Sequence, residues 1–179
     1  MQTKVAKRYA AALYAFARQR GQTAEISHQL EEFVSLWQDS PELRQVMQSP
    51  RIERSSKTRI LQAVGGRLDF SQPVANLLNL LLDKGRLEIL PALYKAYETL
   101  EDKAAGRTRA HCIVAHSLTE QQLGQLRQKL IKISGSKDVL ITLETDQSLL
   151  AGFVVSIDGK IIDGSLKGRL HRLQRRLAR

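Results

Sequence analysis

Catalysis needs a nucleophile, a base or a set of metal ligands that converge, so a chemical reading begins with the four histidines, the one cysteine and the glycine clusters. His111 and Cys112 are neighbours, and together a base and a thiol would make a cysteine nucleophile. Adjacent residues of a strand point to opposite faces, however, so the pair cannot share a proton. His28 and His171 fall on solvated helix positions. Ser134-Gly135-Ser136-Lys137 spells the SxxK pattern of penicillin-binding enzymes, but no SDN or KTG companion accompanies it and the four residues sit in a predicted turn. The glycines at 152, 159, 164 and 168 form neither GxGxxG nor GxxxxGKS, so no phosphate-binding loop is present. Their expected work is conformational, in turns and close packing. The pattern therefore predicts no catalytic residue, no cofactor-binding residue and no metal site. Cys112, as the only cysteine, excludes an internal disulfide and a multi-cysteine zinc site.

The remaining functional signal is charge. Twenty-eight basic side chains face 18 acidic ones, giving a net charge of +10 and a sequence pI near 10.0. Residues 1–105 hold a net +3 and residues 106–179 a net +7, so the excess lies in the C-terminal part. Its last segment sets Leu166, Leu170, Leu173 and Leu177 on one side of a helix and Lys167, Arg169, Arg172, Arg175, Arg176 and Arg179 on the others. Such a face could neutralise phosphates, and a basic nucleic-acid-binding protein is the alternative reading. No RRM, KH, zinc-finger or homeodomain pattern supports it.

The elements that would position any site follow from punctuation and period. At 179 residues the chain can bury about 70% of its unfolded surface, enough for a self-supporting core. Lys4, Lys7 and Arg8 before an apolar run imitate a signal peptide, but the small-residue triplet Ala15-Phe16-Ala17 lies inside that run. Val5, Tyr9, Leu13 and Phe16 recur at helical spacing, which predicts an amphipathic first helix ended by Gly21. A second helix carries Ile26, Leu30, Phe33, Val34 and Trp37. Ser40-Pro41-Glu42 caps a third, and a fourth is expected to stop at Gly65-Gly66. The fifth, with Val74, Leu77, Leu78, Leu80, Leu81 and Leu82, is apolar over more than one stripe, as in a helix that is central or flanks a groove. The sixth runs from near Leu87 towards Gly106. The period then changes. Ala110, Cys112 and Val114 alternate as on a half-buried strand, Thr119 and Gln122 have capping-box spacing, and Asp158-Gly159 predicts a hairpin. The fold class is mainly α: an N-terminal six-helix bundle over 1–105, then a small α/β domain over 106–179 with a basic C-terminal helix.

Ala151-Gly152-Phe153-Val154-Val155 and Asp163-Gly164-Ser165-Leu166-Lys167-Gly168-Arg169-Leu170 resemble the signature of the delta subunit family of bacterial F-type ATP synthases. The family's mitochondrial counterpart is the oligomycin-sensitivity-conferring protein. Arg8-Tyr9-Ala10-x-Ala12-Leu13 and Lys84-Gly85-Arg86-Leu87 followed by Leu90-Pro91 extend the likeness over the whole chain. The resemblance implies a non-catalytic stator subunit of the F1Fo holoenzyme, peripheral on the cytoplasmic face of a bacterial membrane. It would hold the catalytic head to the peripheral stalk so that proton-driven rotation is coupled to ATP synthesis. It implies F1 α subunits as partners of the bundle and b subunits as partners of the C-terminal domain. It implies no small-molecule substrate or cofactor, no nucleic acid, and only indirect membrane contact. Candidate residues for the first partner are Tyr9, Leu13, Phe16, Leu77, Leu78 and Leu81, because two apolar helices can form a groove for a third. For the second they are Leu166, Arg169, Leu170, Arg172 and Leu173.

Overall fold

A computed structural model of the chain describes residues 2–149, 151–157, 159–166 and 168. The chain divides between Glu101 and Asp102 into two compact units.

The first unit is helical: α1 (Gln2–Arg20), α2 (Thr23–Asp39), α3 (Pro41–Gln48), α4 (Arg54–Arg67), α5 (Gln72–Asp83), a 3-10 turn (Leu87–Ile89) and α6 (Leu90–Ala104). Local chemistry sets most of these limits. Gly21, at φ 67°, takes the left-handed conformation that lets the Gln22 amide reach back to the Ala17 carbonyl and close α1. Ser40 accepts the Leu43 amide at 3.4 Å and Pro41 fills the first turn of α3. The core forms from Ile26, Leu30, Phe33 and Trp37 of α2, Leu78 and Leu81 of α5, and Leu90, Leu93 and Tyr97 of α6. Tyr97 donates to the Thr23 carbonyl at 3.1 Å and stands edge-on to Tyr14, so its buried hydroxyl is satisfied.

Two local expectations are corrected. α4 runs through Gly65-Gly66 and ends at Arg67; the tight feature is the Phe70 ring, which would lie 3.0 Å from a Cβ at residue 65. A glycine there serves packing, not termination. On α1 the core face belongs to Ala6, Ala10, Leu13 and Ala17, while Val5 and Tyr9 are half-buried at its margin and Phe16 is exposed. Small residues let the helix approach its neighbours closely, which displaces the large ones to the shoulder.

The connection between α4 and α5 is held from inside. Buried Gln29 accepts the Ser71 amide at 3.0 Å and the Ser71 hydroxyl at 2.7 Å, and it donates to the Asp69 carbonyl at 2.9 Å. Asp69 itself sits at φ 46°, a conformation non-glycine residues rarely adopt. One amide thus fixes both sides of a strained turn and the start of α5.

The second unit holds β1 (Arg107–Val114), α7 (Glu120–Ser134), β2 (Asp138–Thr145), β3 (Phe153–Ile157) and β4 (Lys160–Asp163). The sheet order is β2-β1-β3-β4, with β1 and β2 parallel across α7 and the other pairs antiparallel. Alternation on β1 buries Ala110, Cys112 and Val114 beneath Leu126 and Leu130 of α7. Thr119 and Gln122 form the reciprocal capping box, and Gly135 ends α7 at φ 69°. The last turn of α7 sets Ile131 against this core and leaves Ile133 exposed. The carboxylate of buried Asp102 receives Arg107 at 3.2 Å and the Nε of Arg109.

Candidate docking surfaces

Among the described residues, those with catalytic potential do not converge. Cys112 is buried on the inner face of β1, and burial pushes its thiol above the usual range, which disfavours the thiolate a nucleophile needs. His111 points to the other face and pairs with Glu144 at 3.1 Å. Ser134 and Ser136 close the end of α7, their hydroxyls 2.7 Å apart, with Ser134 bonded to the Leu130 carbonyl at 2.8 Å. Among the described residues no helix is long and apolar enough to cross a membrane.

The structure places an open apolar groove on the first unit. α1 leans on α2 and the 3-10 turn, while α5 leans on α4 and α2, and the space left between α1 and α5 holds about 270 Å³. Leu13 and Leu77, both nearly buried, make its floor; Tyr9, Ala12 and Phe16 form one wall and Pro73, Asn76 and Leu80 the other. Phe16 is 37% exposed and Leu80 41% exposed, and with the rest of the lining they make one contiguous apolar surface of the kind that marks an interaction site. Of the six sequence candidates, Tyr9, Leu13, Phe16 and Leu77 line this groove. Leu78 and Leu81 do not, because at 1% and 0% exposure they turn into the bundle core, on the flank of α5 away from Leu80. Leu80, Pro73, Asn76 and Ala12 take their place. Leu80 was legible as the leucine three residues beyond Leu77, one helical turn along the same face.

In the second unit the glycine signature works as a knot. The Leu166 amide bonds to the Ala151 carbonyl and the Gly164 amide to the Phe153 carbonyl, each at 2.9 Å. Gly152, at φ 92°, lies so close to Gly164 and Ser165 that a side chain would strike their backbone. Asp163 accepts both the amide and the hydroxyl of Ser165, and Ser165 in turn accepts the Gly168 amide at 3.0 Å, capping the helix that begins there. A Cβ at residue 168 would run into the Asp163 carboxylate. Leu166 is 44% exposed just after the knot. Arg169, Leu170, Arg172 and Leu173 lie outside the described residues, as does the rest of the segment expected to form the basic helix.

A helical unit with an open apolar groove, joined in sequence to a small α/β unit whose marked residues tie strand ends together, defines a protein built for docking. Comparison with known proteins gives the family. Residues 5–177 match the model of the ATP synthase delta (OSCP) subunit. The ATP synthase subunit delta of Solidesulfovibrio magneticus is 36% identical over 177 residues, covering 98% of this chain and 96% of the relative. That of a Synechococcus species is 37% identical over 171 residues, covering 96% and 93%. A chain in the cryo-EM structure of the Toxoplasma gondii mitochondrial ATP synthase hexamer shares the fold, with a TM-score of 0.72 at 21% identity over 97% of each chain. This chain belongs to the ATP synthase delta (OSCP) subunit family, and its role is that of a non-catalytic stator component.

Proposed function

We propose that this chain clamps the F1 head to the peripheral stalk, its first unit receiving amphipathic N-terminal helices of F1 α subunits and its second meeting the ends of the b subunits. Torque from the rotor would otherwise turn the head. A clamp that resists it keeps proton-driven rotation coupled to ATP synthesis, on the cytoplasmic face of a bacterial membrane. The observation that carries this reading is the groove between α1 and α5, because its place between two helices and its apolar floor suit the buried stripe of a third helix. Exposed Leu166 and the cationic segment after it support the stalk contact. The test uses the full chain titrated with a synthetic helix copied from the N-terminus of a bacterial F1 α subunit. Saturable binding by the parent chain, weakened by Phe16→Asp or Leu80→Asp with circular dichroism unchanged, is the expected result. No binding, or affinity indifferent to both substitutions, overturns it.

A further inference from the structure

The groove is apolar inside, yet all the free formal charge of its two helices is positive. α1 carries Lys4, Lys7, Arg8, Arg18 and Arg20 and no acid. On α5 the single acid, Asp83, is held by Arg54 at 2.6 Å, and the groove-facing polar residue is the neutral Asn76, bonded to Gln72 at 2.8 Å. Neither Arg8 nor Arg20 lines the groove, but helical spacing puts both at its margin. Arg8 precedes Ala12 by one turn at its edge, and Arg20 follows Phe16 by one turn, its guanidinium 4.3 Å from the centre of the Phe16 ring. Both arginines are exposed, and neither has a carboxylate partner among the described residues. Twelve residues separate them, which is about 18 Å along the helix axis, or roughly three turns.

We propose that Arg8 and Arg20 determine which helix docks: the occupant is an amphipathic helix whose apolar stripe runs about three turns and is bracketed at both ends by Asp or Glu. The stripe supplies the burial. The arginines supply register and selection, because an acid about three turns from another meets both guanidiniums only when the stripe lies fully in the groove. A helix bracketed by Lys or Arg meets like charge at each end and is rejected. The stacking of Arg20 on Phe16 holds its guanidinium over the groove mouth, which lowers the ordering cost of that contact. This inference rests on the groove being the docking site.

Three synthetic helices separate the two ideas when titrated against the full chain. Each has leucines at i, i+3, i+4, i+7 and i+8, flanked at both ends by Glu, by Gln or by Lys. At low salt the Glu-flanked helix should bind on the order of tenfold more tightly than the Gln-flanked one, and the gap should narrow as salt rises. In the double variant Arg8→Glu, Arg20→Glu the order should invert in favour of the Lys-flanked helix. Because both side chains are exposed, that variant should retain the parent's circular dichroism. Equal binding of the Glu- and Gln-flanked helices, or an order unchanged by the double variant, overturns the inference and leaves the groove intact. Failure of all three to bind removes the inference and the groove reading together.

Discussion

Leu80 and Leu81 are adjacent in sequence and opposite in consequence, which makes the pair the sharpest probe of how α5 is used. Leu81 is fully buried in the bundle core and Leu80 is 41% exposed at the groove. Truncating a fully buried leucine to alanine removes its transfer energy and leaves a cavity, so Leu81→Ala should cost about 2–5 kcal/mol of stability. Burying a leucine completely is worth about 1.5–3 kcal/mol, and an occupant of the groove can cover only the 41% that remains open on Leu80. Leu80→Ala should therefore cost about 1 kcal/mol of docking energy, roughly a fivefold loss of affinity, and about 1–2 kcal/mol of stability from the part already buried, below the cost at Leu81. Urea denaturation of the full chain, followed by far-ultraviolet circular dichroism, measures the first quantity. Fluorescence titration with the α-subunit N-terminal helix measures the second. A Leu80→Ala protein as destabilised as Leu81→Ala, or one that binds as tightly as the parent, would refute the assignment of these two faces.

The same logic yields three further expectations. Gly152→Ala places a side chain against Gly164 and Ser165 at a positive φ, so the second unit should lose more than about 2 kcal/mol, read by denaturation followed with hydrogen exchange on β3. Gln29→Leu leaves the Ser71 amide and the Asp69 carbonyl without their partner; a loss of about 2–3 kcal/mol in urea denaturation is expected, and a neutral result would show that the turn does not depend on it. Tyr97 is buried, with Glu101 nearby, and both effects raise its hydroxyl above the ordinary tyrosine range. Its unfolded pKa near 10 is thus below its folded one, so the neutral phenol's contribution is complete below about pH 10 and is lost as pH rises beyond it. Tyr97→Phe should flatten the alkaline end of the stability profile; an identical profile would contradict the burial.

Much of the architecture was readable because periodicity and punctuation agreed. The stripe Ile26, Leu30, Phe33 and Trp37, the cap at Ser40 and the capping box at Thr119 all stand where their spacing puts them. Period alone failed where size decides which side of a helix faces inward. On α1 the eye follows Tyr9 and Phe16, but alanines take the core because they permit close approach. On α5 a run of leucines covers more than one face, and only packing tells that Leu78 and Leu81 turn inward while Leu80 turns to the groove. Gly65-Gly66 read as a stop because glycine often ends helices, whereas here a ring from Phe70 needs the space. In the signature, Ser165 could be read as the cap of the last helix, and its bond from the Gly168 amide has the ordinary N-cap spacing; only the structure adds the two bonds by which Asp163 holds Ser165 in place.

The central claim, that the α1–α5 groove anchors this subunit to the catalytic head, is tested most directly by co-sedimentation of the full chain with a purified bacterial F1 head lacking its own delta subunit. A stoichiometric complex that forms with the parent chain and is lost with the double variant Phe16→Asp, Leu80→Asp, its circular dichroism unchanged, is what the groove predicts. A complex that survives the double variant, or none with the parent chain, would contradict it.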